Sequence, residues 1–154
     1  SVIRRIADTS SLTTRFFYYL ASVCHASEHI KLALHQSTVI VDRYIGSTRS
    51  FHLAAGLSKE LVDIATKVDI ATKVDIVIPD LQFLITAPLK VRKQRIKRRG
   101  DPTLSDLWEA RLKFDDIVLE HLRSVCDHMI ENMGTVEDVV SYMESIVKQR
   151  MEEQ

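Results

Sequence analysis

The run Thr38-Val39-Ile40-Val41 leads without a break into Asp42-Arg43-Tyr44-Ile45-Gly46-Ser47. A short apolar stretch between turn-prone segments has the pattern of a strand buried within a parallel sheet. Ligands of such sheets bind just beyond the carboxyl ends of the strands, which is where Asp42 and Arg43 stand. A carboxylate at that edge can organise Mg²⁺ through water, and a guanidinium can hold a phosphate through two parallel hydrogen bonds. An exposed ion pair closing a strand is the plainer reading of the same two residues. Taken alone, they leave both readings open.

A second apolar strand pattern, Leu81 to Thr86, lies between Pro79 and Pro88. The segment after it is strongly basic: Lys90, Arg92, Lys93, Arg95, Lys97, Arg98 and Arg99, with no acid among them. The chain as a whole is balanced, with a formal net charge of +0, so bulk attraction to nucleic acid or to a membrane surface is not indicated. At 154 residues, 45% hydrophobic and 27% charged, it is expected to be one domain, 1–154, with a substantial core. Cys24 and Cys126 are too few for a disulfide framework and read as buried free thiols of a reducing compartment. No apolar run approaches the ~20 residues of a membrane helix. No secretory signal pattern is present, which leaves the cytoplasm as the expected location.

Helical periodicity fills the space between the strand patterns. Asp8-Thr9-Ser10-Ser11 is an N-cap cluster, and Leu12 to about Gln36 reads as one long helix. Its expected buried stripe is Phe16, Tyr19, Leu20, Val23, Ile30 and Leu34. Ser47 to about Ala55 reads as a helix start or loop broken at Gly56, and Ser58 caps a short helix. Leu89 to Arg99 is a basic helix, interrupted at Gly100-Asp101-Pro102-Thr103. Leu104 to about Met129 is a second long helix with Leu107, Trp108, Leu112, Phe114, Ile117, Val118, Leu122 and Val125 inward. His128 to Asn132 is a short final strand, and Thr135 caps the terminal helix with Glu137 and Asp138 in its first turn. Strands alternating with helices imply an α/β fold, a parallel sheet with helices on both faces. Val62-Asp63-Ile64-Ala65-Thr66-Lys67 is copied at once in the next six positions, and Val74-Asp75-Ile76 begins a third copy. Solenoid repeats are about 20 residues or longer, so this is a local duplication or a recording error rather than an architecture.

The series Asp-Arg-Tyr-x-x-Ser-x-x-Ser-Phe from Asp42 to Phe51, then Pro79-Asp80-Leu81 and a strand, then Arg95-Ile96 and Arg98-Arg99-Gly100, resembles the thymidylate kinases. These are P-loop nucleoside monophosphate kinases, and the similarity spans roughly Phe16 to Val147. The resemblance implies transfer of the ATP γ-phosphoryl to dTMP or a related (deoxy)nucleoside monophosphate, with Mg²⁺. It implies that Asp42 holds Mg²⁺ or its waters and that Arg43 fixes the acceptor phosphate. Ser47 and Phe51 match acceptor-side positions, while His52 stands where many relatives have Gln. Arg95, Arg98 and Arg99 would close over the donor phosphates from a lid at about 92–106, with Arg92 a weaker candidate; a solvated basic face is the plainer alternative. Tyr18 falls near the position of the base-stacking aromatic, and Phe17, Tyr18 and Tyr19 read equally as core. Ser22 falls where relatives carry an Arg that bonds the base, and serine has neither its reach nor its charge. The family also suggests a homodimer through the long helices.

The family's Gly-x-x-x-x-Gly-Lys-Ser/Thr loop, whose N–H groups and lysine cradle the donor phosphates, has no counterpart among Gly46, Gly56, Gly100 and Gly134. The expected fold is therefore a P-loop kinase-like α/β sheet whose first strand and P-loop are absent from the chain, more simply a fragment than a degenerate relative. On that reading the chain alone does not transfer phosphoryl groups. A deoxynucleoside kinase is a rival, opposed by Asp42-Arg43-Tyr44 where such enzymes usually have Glu-Arg-Ser. A non-catalytic nucleotide-binding or regulatory relative is the other. His25 and His29, four apart on a helix, have no third ligand nearby in sequence to complete a metal site.

Overall fold

The computed structural model describes residues 9–66, 76–99 and 112–153. They fall into two compact units, one of residues up to Ile78 with Asp116–Leu122, the other Pro79–Asp115 with Arg123–Gln154. The fold is a helix-rich α/β arrangement with a small parallel sheet of two strands. Among the described residues, no helix is long and apolar enough to cross a membrane.

In the first unit, α1 (Leu12–Leu34) starts at Ser11, whose hydroxyl accepts the Thr14 N–H at 3.2 Å. That bond satisfies one of the donors every helix start leaves open. Its buried stripe is Phe16, Leu20, Val23 and Ser27, stepping by four, three and four residues. Leu34, expected inside, is 46% exposed and lies beyond Ser27, the last buried position of the helix. Phe16 and Val62 are fully buried and form a core with Leu20, flanked by Cys24, Ile45, Leu53, Leu57, Ala65 and Ile76. The helices α2 (Ile45–Ala54) and α3 (Lys59–Thr66) pack into this core. Gly56 separates them at φ +96, a left-handed turn that glycine adopts without the Cβ penalty. Ser58 caps α3 by accepting the Leu61 N–H at 3.2 Å.

The segment Thr38–Val41 is a departure from expectation. It forms no strand, and Ile40 is 89% exposed. A strand is held by ladder bonds to a neighbour, and among the described residues nothing pairs with this run.

In the second unit, β1 (Phe83–Thr86) pairs in parallel with β2 (His128–Glu131), Phe83 facing His128 and Thr86 facing Glu131. β1 begins two residues later than Leu81, because Gln82 is engaged with the turn before β2. Its N–H donates to the Asp127 carboxylate at 2.7 Å, and its carbonyl accepts the Asp127 N–H at 2.9 Å. Leu84, Ala87, Ile130 and Val139 are buried. The basic helix α4 spans Leu89–Arg99, as its composition and Pro88 suggest. Helix α5 (Leu112–Arg123), whose residues Asp116–Leu122 belong to the first unit, ends short of Met129, since the chain must turn at Ser124–Asp127 to enter β2. Along it Val118 is buried, whereas Ile117, and Val125 just beyond its end, are exposed. Helix α6 (Val136–Glu152) opens with a full capping box: Thr135 Oγ1 accepts the Asp138 N–H, and the Asp138 carboxylate accepts the Thr135 N–H at 3.0 Å. The Thr135 N–H, and after it the Thr135 O–H at 2.8 Å, donate to the Asp138 carboxylate and hold that carboxyl below the usual range. The interruption after Arg99, Leu104, Leu107, Trp108 and most of the six-residue duplication lie outside the described residues, as does the lid from position 100 onward.

Candidate functional site

Asp42 and Arg43 form an exposed turn between the end of the apolar run and α2. Arg43 has φ 62, the one non-glycine positive φ among the described residues. A Cβ in that region crowds the following carbonyl, at a cost of roughly 1–2 kcal/mol. Such a conformation persists where its surroundings hold it, and it concentrates at functional sites. The next residue is itself held in place. Tyr44 is the N-cap of α2; its carbonyl accepts the Thr48 N–H at 3.2 Å, while its phenol reaches back to Ser27 of α1.

Ser27 is 1% exposed. Its hydroxyl donates to the Val23 carbonyl at 3.1 Å and accepts the Val77 N–H at 3.4 Å. A serine hydroxyl has one proton, so the Tyr44 O–H must be the donor in the bond between them. Tyr44 itself gives α2 no side-chain cap. The first turn of α2, Ile45-Gly46-Ser47, therefore offers backbone N–H groups and the positive end of the helix dipole beside Arg43.

Ser47 lies in that first turn and Phe51 one turn further on the same face, both partly buried. His52 points elsewhere. It is 5% exposed, its Nδ1–H donates to the Thr48 carbonyl at 2.7 Å, and its ring meets Phe16 edge-on at 5.2 Å and Tyr19 at 6.0 Å. Burial lowers its pKa below the ordinary imidazole value; the Arg15 charge adds to the fall and the Thr48 bond opposes it. Arg49 ties α2 to α3 through Asp63 at 2.8 Å and through the Thr66 hydroxyl. Lys59 also bonds Asp63, and with Arg49 it holds that carboxyl below its usual range.

Tyr18 is half-buried on α1, edge-on to Tyr19 at 5.3 Å. Ser22, one turn on, is exposed, and its hydroxyl is turned back to the Tyr18 carbonyl at 3.1 Å. His25 and His29 meet edge-on at 4.7 Å. Cys24 and Cys126 are free and partly buried. Burial raises the Cys24 thiol.

In the second unit, Arg92 donates from Nε to the Ala87 carbonyl at 2.9 Å and so braces the start of α4. Arg95 reaches Asn132 after β2, bonding its carbonyl at 3.4 Å and its side-chain oxygen at 3.3 Å. Arg98 is exposed, and the side chain of Arg99 lies outside the described residues.

An Asp-Arg turn held at a helix start, with a hydroxyl in that helix's first turn, suits a phosphate ester. The family model described as thymidylate kinase matches residues 1–145. The chain belongs to the thymidylate kinase family. No curated protein and no solved structure matches it. Thymidylate kinases act on nucleotides, and Mg²⁺ with ATP is the family's usual donor system. Among the described residues no three His, Cys, Asp or Glu side chains gather to cage a cation. Mg²⁺ needs no such cage, since it commonly keeps several waters and takes one or two carboxylates plus substrate phosphates. An exposed Asp42 carboxylate fits that demand.

The sequence points to Asp42, Arg43, Ser47 and Phe51 here, together with Tyr18, His52, Arg95, Arg98 and Arg99, and does not point to the contacts made by Ser27, Tyr44 and Arg49. Ser27 had a signal: it continues the spacing of Phe16, Leu20 and Val23, so a hydroxyl was due to be buried there.

Proposed function

We propose that these residues form the acceptor side of a nucleoside monophosphate kinase that takes dTMP or a closely related deoxynucleoside monophosphate. The observation that carries this is Arg43, exposed at the α2 start in a left-handed conformation beside Asp42. The guanidinium takes two oxygens of the acceptor phosphate, a geometry lysine cannot copy. Asp42 orients Mg²⁺ or its waters, and the cation, when bound, neutralises charge on the transferring group. Ser47 and Phe51 extend the acceptor surface, and Tyr18 offers a stacking ring for the base. Arg95, Arg98 and Arg99 are assigned to the donor phosphates on sequence register. Pairing of two copies through the long helices belongs to the same proposal.

The 154 residues contain no Gly-x-x-x-x-Gly-Lys-Ser/Thr. A non-catalytic nucleotide-binding relative is the second reading, favoured by that composition and by Ser22, whose hydroxyl is spent on its own helix. The test supplies the full-length gene product with ATP, Mg²⁺ and each nucleoside monophosphate in turn and follows diphosphate formation. The kinase reading predicts turnover of dTMP, reduced on the order of 10²-fold in kcat/KM by Arg43→Ala. Monophosphate binding without turnover selects the second reading. Neither binding nor turnover overturns both.

A further inference from the structure

We infer that Ser27 and Tyr44 are positioning residues for Arg43, a buried hydroxyl clamp that holds the Asp42-Arg43 turn in its phosphate-gripping shape. The inference rests on the assignment of Arg43 to the acceptor phosphate. Three observations carry it. Arg43 holds a left-handed backbone conformation that residues other than glycine seldom adopt. Tyr44, directly bonded to it, is fixed at both ends, by the Thr48 N–H on its carbonyl and by Ser27 on its phenol. Ser27 is 1% exposed and also accepts the Val77 N–H, so one oxygen joins α1, the turn and the segment before Pro79.

The proton arrangement admits one direction. Ser27 gives its proton to the Val23 carbonyl, and its lone pairs receive Tyr44 O–H and Val77 N–H. Without the Tyr44 phenol, the Ser27 bond to Val23 survives but the turn loses this anchor, which lets the backbone of Arg43 relax toward a negative φ. The guanidinium then leaves the phosphate while the surface for base and sugar stays. The clamp therefore acts on phosphate recognition and not on nucleotide binding at large.

Titration calorimetry of the full-length gene product with dTMP and with thymidine, which lacks only the phosphate, separates these effects. Tyr44→Phe should weaken dTMP binding about tenfold, a fraction of a charge-assisted bidentate contact, and leave thymidine binding unchanged. In an Arg43→Ala background it should change neither. Ser27→Ala should reproduce the pattern; should it fail to fold, Tyr44→Phe decides alone, since it keeps the ring. A Tyr44→Phe protein that melts earlier but binds dTMP like wild type overturns the clamp and leaves the Arg43 assignment standing. Wild-type and Arg43→Ala proteins that bind dTMP equally overturn the assignment and the clamp with it.

Discussion

Thr38-Val39-Ile40-Val41 and Phe83-Leu84-Ile85-Thr86 carry nearly the same strand signal, yet only the second is a strand. In the second, Leu84 is 8% exposed and the backbone is laddered to His128–Glu131; in the first, Ile40 stands 89% exposed. β-propensity measures fit to a pleated, partly covered surface, so it speaks only when a neighbour supplies the ladder. The turn after each run differs in the opposite sense. The unladdered run ends in a turn fixed by a buried serine, whereas the laddered one passes directly into Pro88 and α4. The Asp42-Arg43 turn is thus tied to α1 through Tyr44 and Ser27, with no ladder beside it among the described residues.

The largest test of that contrast is Ile130→Ala in the paired strands, which should cost roughly 2–5 kcal/mol in denaturant unfolding by emptying a packed site. A loss under 1 kcal/mol would show that the ladder does not organise its unit. Next comes pH. Burial holds His52 below its ordinary value of about 6.5, so the unfolded chain binds a proton before the folded one does. Stability should be full above about pH 6.5 and fall as pH drops below it. Thermal midpoints of wild type and His52→Gln should diverge above that pH and converge below it; parallel curves would contradict the assignment. Thr135→Ala, which removes the α6 capping box just after β2, should cost about 1 kcal/mol. Ile40→Lys is the smallest, expected within about 0.5 kcal/mol of wild type as an exposed substitution. A cost of several kcal/mol there would show that the first run is covered after all.

Helices α1, α4 and α6 were legible because each carries its own boundary. Pro88 and an unbroken basic run bracket α4, Ser11 and the apolar spacing set α1, and Thr135 with Asp138 sets α6. Local hydrogen bonds make those ends, and local sequence reports them. The state of Thr38–Val41 depends on a neighbour, which no window of sequence contains. Asp42, Arg43 and Ser47 stand out as candidates through family register, but the bond beside them does not, since Tyr44 and Ser27 are joined across seventeen positions of chain. His52 lies beside the site in sequence, yet helix periodicity turns it toward Phe16 and Tyr19.

The most direct measurement is the affinity of the full-length gene product for dTMP before and after Arg43→Ala, at fixed ionic strength. Loss of a bidentate phosphate contact predicts weakening of tenfold or more, about 1.4 kcal/mol per factor of ten. Equal affinity in the two proteins would place the acceptor phosphate away from the Asp42-Arg43 turn and contradict the account.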